Sequence, residues 1–266
     1  MPGPPSSNIF TRCNRPPWAI ASVEFQDAPG PLRIGRVRED NRRLFALLDA
    51  EPKPGRRGEI FHEYTSVQFA LHQWSDYQAS ARSSLRNSYV RYLRGWAVDS
   101  NSCEGAVLKG WVESRLGIPP TFHYGPLPAN HEARARYELD RIRGSAKTNA
   151  IDSQLDLLFE FSQYELARRY PGEQWLTLYR GTFDGAAYEM VRPGNQKGEA
   201  VMRMNNISSF TADRECAWEF GSTVWEARVP LSKVFFFGGL LPDDLLKGED
   251  EFMVIGGEYR MRRLLW

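Results

Sequence analysis

With 266 residues, 42% hydrophobic and 13% aromatic, the chain has ample material for a packed core, as one large domain or two small ones, and eight Trp with fifteen Phe exclude disorder. A formal charge of +1 gives no global basic field for nucleic acid or an anionic membrane, and the local basic stretches at 33–43 and Arg56-Arg57 read as solvated helix faces. No run approaches the length of a membrane span, and the opening Met-Pro-Gly-Pro-Pro-Ser-Ser has no signal-peptide core. Cys13, Cys103 and Cys216 form no Cys-x-x-Cys, and His62, His72, His123 and His131 show no metal-ligand spacing, so neither zinc nor a disulfide framework is expected. A thiol–imidazole couple using Cys103 stays open as a minor alternative. The chain reads as a soluble cytoplasmic protein.

Residues 1–31 are rich in Pro, Gly and Asn and read as an arm laid over the body. Residues 32–171 follow a helical period. Leu44, Leu47 and Leu48 make one apolar stripe, and Val67, Leu71 and Trp74 a second. Leu85, Tyr89, Tyr92 and Trp96 make a third, continued by Val107 and Trp111 until Gly117 and Pro119-Pro120 stop the helix. Residues 131–143 predict a charged, exposed helix. Ile151, Leu155, Leu158 and Phe159 mark another that ends near Pro171-Gly172.

From 172 to 266 the period changes to that of strands. Trp175 to Tyr179 is a short run that Arg180-Gly181 turns. Met202 to Thr211 is extended, and Asp213 to Phe220 is a short helix closed by Gly221. Strands follow at 224–229, 234–237, 252–255 and 259–265, with Gly256-Gly257 as a bulge or a hairpin turn. The fold class is α+β: an arm, a helical region and a mainly antiparallel β-rich third.

The most informative residues are Glu249 and Glu251, two apart at the mouth of an apolar run. On a strand they share one face, roughly 6.5 to 7 Å apart. Such a pair can do sugar chemistry, one carboxylate steadying charge on a ribose and the other handling a proton. Cleaving NAD at its nicotinamide–ribose bond needs more than this. The diphosphate needs a cation, the carboxamide needs backbone hydrogen bonds, and a hydroxyl must fix the catalytic carboxylate. Arg180 with Gly181 and the hydroxyls of Ser209 and Thr211 fit these tasks. Glu251 is then the catalytic carboxylate and Glu249 the group that positions an incoming nucleophile; a guanidinium acceptor would separate the two negative charges. Taken singly, Arg-Gly is a turn, Ser-Phe-Thr is a strand or a helix N-cap, and Glu-x-Glu is a charged strand edge. Their order carries the reading: an arginine, a hydroxyl strand about 30 residues later and an acidic pair about 40 further on.

That order resembles the arginine–serine–glutamate class of ADP-ribosyltransferases. Ser209-Phe210-Thr211-Ala212-Asp213-Arg214, then Ala217 and Phe220-Gly221, is similar to that class's Ser-Thr-Ser strand and following helix. The resemblance implies a split β-sandwich core holding NAD as co-substrate, and Glu-x-Glu is similar to the arginine-modifying branch. Residues 86–96 and 104–115 resemble the dinitrogenase reductase ADP-ribosyltransferase family, a likeness that runs along nearly the whole chain. It implies an acceptor arginine on dinitrogenase reductase, the nitrogenase iron protein, inactivation of that protein, and regulation by a P-II type nitrogen-status protein. Two departures stand out. Phe210 replaces a small residue and should face the core, and the segment 238–248, in the place of the acceptor-recognition loop, carries Leu240, Leu241, Leu245 and Leu246 but no aromatic residue. Two other readings use the same residues: an NAD glycohydrolase without protein acceptor, and a non-catalytic binding module with an acidic docking edge.

Overall fold

The computed structural model describes residues 11–71, 88–128, 130–146, 148, 150–183, 189–194, 196–242, 245 and 251–264. His72, Trp74, Leu85, Leu246 and Glu249, named above, lie outside the described residues.

Ten α-helices run through the described residues. They are α1 (Pro17–Ile20), α2 (Val23–Asp27), α3 (Val37–Asp40), α4 (Arg42–Ala50), α5 (Pro54–Gln68), α6 (Tyr89–Val98), α7 (Cys103–Leu116), α8 (His131–Ser145), α9 (Ile151–Arg169) and α10 (Arg214–Glu219). The strands are β1 (Trp175–Thr182), β2 (Glu189–Pro193), β3 (Glu199–Thr211), β4 (Thr223–Pro230), β5 (Val234–Phe237) and β6 (Glu251–Leu264). A helical N-terminal half thus precedes the antiparallel sheet, an α+β fold.

Local chemistry sets the helix ends. Ser102, Asn130 and Asp213 each accept N–H bonds in the first turn of α7, α8 and α10. Gly117 closes α7 in the left-handed conformation, φ 70°. α8 is charged and largely exposed. α9 is buried around most of its circumference, and its buried carboxylates are met by arginines, most of them from other elements. Asp156 takes Arg12 and Arg115, Glu160 takes Arg33, Arg38 and the Ile34 amide, and Glu165 takes Arg57 and Arg169. Desolvated carboxylates need such partners.

Two stripes differ from the sequence reading. Leu44 and Leu48 are buried but Leu47 is 47% exposed, because Phe45 takes the inner position. Leu71 is buried whereas Val67 is 76% exposed. The N-terminal segment carries two short helices, α1 and α2. It is pinned to the sheet: Gln26 donates to the carbonyls of Arg228 and Arg260, and Lys233 donates to that of Ile20. One hydrophobic cluster runs from Ile20 through α6, α7 and α9 to Met261.

β6 organises the sheet. It pairs with β3 along its length, with β5 near its start and with β4 near its end, and β1 joins β4 to the end of β3 through Tyr179 and Thr211. Gly256-Gly257 makes no hairpin; β6 is continuous. Asn205 and Asn206 of β3 lie opposite Gly256 alone, a bulge that bends the ladder within one six-stranded sheet. A Cβ at Gly256 would sit 1.7 Å from the Asn205 carbonyl, so only glycine fits there. The helical region holds this bend. Asn206 donates to the carbonyls of Lys109 and Ile118, and Asn205 accepts from the Thr121 amide and donates to the Phe122 carbonyl.

Candidate active site

The cleft of about 720 Å³ opens between α6 and the ends of β1, β3 and β6. Arg180 and Gly181 line it from β1, Ser209, Phe210 and Thr211 from β3, and Glu251 from β6. Trp96 and residues 97–100 close it from the helical side, and Tyr179, Phe183, Cys216, Ala217 and Phe220 complete the wall. Its volume lies within the range of small-molecule and cofactor sites.

Register brings the polar residues together. Thr211 pairs with Glu251, and Tyr179 pairs with Thr211, so three strands end side by side. Arg180 does not end its strand in a turn as the sequence suggested. β1 continues to Thr182, with Arg180 opposite Trp225 and Gly181 opposite Val224, because β4 extends past the Arg-Gly step and supplies ladder partners. The Arg180 guanidinium donates to the Ser209 carbonyl, tying the cation to the hydroxyl strand. Gly181 permits a close approach, that of α10: a Cβ there would lie 2.0 Å from the Ala217 carbonyl oxygen.

The two hydroxyls have different surroundings. Ser209 Oγ accepts from the indole Nε1 of Trp96 at 2.9 Å. The same N–H reaches Glu251 Oε1 at 3.1 Å, a three-centre bond joining helix, hydroxyl and carboxylate. Thr211 Oγ1 accepts the Asp213 amide at 3.0 Å and so shapes the turn into α10. Phe210 is buried in the core, as the sequence suggested, and its edge reaches the cleft. Ahead of the acidic pair, Leu240, Leu241 and Leu245 are buried. Glu249 lies outside the described residues, so its placement beside Glu251 stays a sequence expectation.

Trp96 is the residue sequence reasoning missed. At helical spacing it reads as core, and it is 4% exposed, but one atom carries a polar task. Nothing in the sequence marks that task; the place of Trp96 beside the cleft is visible only in the structure.

Behind that loop lies a polar chain that starts at the surface and ends at the buried Lys109, His123 and Asp140. Asn101 accepts from Tyr124 N at 3.1 Å and Lys109 Nζ at 3.4 Å, and its own amide donates to Asp99 Oδ1 at 2.8 Å. Lys109 Nζ meets His123 Nδ1 at 3.2 Å, and His123 Nε2 meets Asp140 Oδ2 at 3.2 Å. Burial lowers the Lys109 ammonium to about 8, and burial followed by the nearby lysine lowers the His123 imidazole. Cys103 Sγ donates to Asp140 Oδ1 at 3.5 Å, so Asp140 stands between thiol and imidazole. Burial and then Asp140 raise the thiol, which is the wrong direction for a nucleophile.

The family model described as dinitrogenase reductase ADP-ribosyltransferase (DRAT) matches residues 10–263. A curated protein of Rhodospirillum rubrum, NAD(+)--dinitrogen-reductase ADP-D-ribosyltransferase, is 42% identical over 249 residues, covering 91% of this chain and 90% of that protein. No solved structure matches the chain. No helix among the described residues is long and apolar enough to cross a membrane.

Proposed function

Because the chain belongs to the dinitrogenase reductase ADP-ribosyltransferase family, we propose that it transfers ADP-ribose from NAD to an arginine of dinitrogenase reductase, inactivating that protein and switching off nitrogen fixation. The observation that carries the reading is the convergence of Arg180, Ser209 and Glu251 from three strands on one cleft.

Each residue then has a chemical task. The planar fork of Arg180 pairs with the diphosphate. The backbone around Gly181 meets the nicotinamide carboxamide. Glu251 hydrogen-bonds the ribose hydroxyls and stabilises the positive charge that builds as the bond from ribose C1 to the nicotinamide nitrogen lengthens. Ser209 holds that carboxylate, and Thr211 shapes the adjoining wall. The electron pair of the breaking bond leaves with nicotinamide. A guanidinium nitrogen of the acceptor bonds to C1 and sheds a proton, which Glu249 takes.

We divide the chain into an arm at 1–31, a helical region at 32–171 and a catalytic core at 172–266. The helical region supports the NAD site and recognises the target; its residues 96–100 already form one wall of the cleft. The reaction belongs in the cytoplasm, a reducing compartment in keeping with three free cysteines. A P-II type protein is the proposed regulator, tested by co-purification with the chain.

The deciding experiment is mass spectrometry of purified dinitrogenase reductase after incubation with the chain and NAD. One ADP-ribose on an arginine is expected. NAD consumption with no modified arginine would overturn the transferase reading in favour of a glycohydrolase, and no saturable NAD binding would favour a binding module.

A further inference from the structure

We infer that Trp96 is a positioning residue for this reaction, its indole N–H fixing the Glu251 carboxylate against Ser209. The inference rests on the transferase reading and adds a residue from outside the sheet to the site.

An indole has one N–H donor and no acceptor, so its hydrogen-bonding capacity has a single direction. In Trp96 that direction points at two oxygens of the site, Ser209 Oγ at 2.9 Å and Glu251 Oε1 at 3.1 Å. Packing alone would not require the nitrogen to face them. A bond from a fixed donor to a carboxylate is charge-assisted and limits the side chain's rotation. Because Ser209 Oγ accepts from the indole, the hydroxyl keeps its own hydrogen to donate, so one N–H orients both polar groups.

The mount is rigid, as a positioning role demands. At the start of α6 the Tyr89 amide donates to Gln154 Oε1 at 2.9 Å. One turn on, Tyr92 OH contacts the Gly144 carbonyl at 2.8 Å and Thr148 Oγ1 at 2.7 Å. Arg91 pairs with Glu104 at 2.7 Å. The helix that carries the indole is thus held from α7, α8 and α9, elements outside the sheet. A donor held in place before reaction costs little reorganisation as charge develops on the ribose.

The test replaces Trp96 by β-(3-benzothienyl)alanine, which keeps the shape of the indole but has sulfur in place of N–H. Trp96→Phe serves as the encoded counterpart. The expected result is that kcat for NAD hydrolysis and for arginine modification fall together by about tenfold or more. KM for NAD should stay within about threefold, since the N–H acts on the carboxylate in the transition state rather than on substrate binding. A benzothienyl variant with wild-type kcat, or a loss confined to KM, overturns the role of Trp96. A wild-type chain that neither binds nor consumes NAD overturns the transferase reading itself, a result distinct from the other two.

Discussion

The sheet brings Arg180, Ser209 and Glu251 to the cleft on three neighbouring strands, whereas the helical region contributes an indole, Asp99 and the chain between them. Strand ladders fix the backbone positions of the first set to within the register of the sheet. They do not fix where a glutamate side chain points. The helical region acts on that remaining freedom through Trp96, and it also holds the bend of β3 through Asn205 and Asn206. In this molecule reactive groups and the means of aiming them come from different parts of the chain.

The largest expected effect lies on the sheet side. Glu251→Gln should lower both NAD hydrolysis and transfer by on the order of a thousandfold, since it removes the charge facing the ribose. Glu249→Gln should abolish transfer to arginine while sparing some hydrolysis, and a labelled-NAD assay with and without acceptor separates the two. Full transferase activity in Glu251→Gln would break the assignment of chemistry to β6.

Next in size is a variant at the join between the regions. Glu160 is fully buried and accepts from Arg38, Arg33 and the Ile34 amide. Glu160→Ala leaves these donors without their acceptor and should cost about 3–5 kcal/mol in chemical denaturation. A cost below about 1 kcal/mol would mean that the N-terminal segment is held by its apolar contacts instead.

Smaller again is Arg94→Ala. Arg94 on α6 donates twice to the Leu245 carbonyl, at 2.6 and 3.0 Å, in the segment that leads to the acidic pair. Transfer should fall by about threefold to tenfold with NAD hydrolysis unchanged, because a part-buried bond of this kind contributes about 1 kcal/mol. Equal losses in both rates would place this helix contact on the NAD side.

The smallest effect is on pH dependence. Burial lowers the folded-state ammonium of Lys233 to about 7 and that of Lys109 to about 8. The unfolded chain therefore binds more protons above pH 7, and stability rises with pH until the lysines titrate in the unfolded state as well. Between pH 7 and 8.5 the melting temperature should climb by a few degrees. Above that range the raised thiols of Cys13 and Cys103 act with the opposite sign. A flat or falling curve in circular dichroism from pH 7 to 8.5 would show that the two lysines are not buried in this way.

Much of the site was legible because its residues occur in a fixed order on segments whose period is plain. β3 and β4 are bounded by turn residues, and the apolar run of β5 is buried throughout. Arg180, Ser209 and Glu251 could be named from that order alone. The continuation of β1 through Arg180-Gly181 was not legible, because Gly reads as a turn until a partner strand supplies its ladder. Nor was the role of Gly256, since a bulge is a relation between two strands and Gly-Gly alone fits a hairpin equally well. The stripe at Leu44, Leu47 and Leu48 was right in two positions of three; periodicity shows a face, and its edges depend on what packs against it. Trp96 escaped because hydropathy counts a whole side chain while its function rests on one nitrogen.

The buried carboxylates of α9 also bear on how the chain is made. Arg12 and Arg33 meet partners 144 and 127 residues further along, at Asp156 and Glu160. At typical synthesis rates these arginines leave the ribosome roughly ten seconds before the glutamate and aspartate that receive them. The first segment must therefore wait undocked while most of the helical region is translated, and its seating is a late event, slowed by the long loop to be closed. During that interval Ile20, Leu32 and Ile34, buried in the finished molecule, stand open to chaperones and proteases.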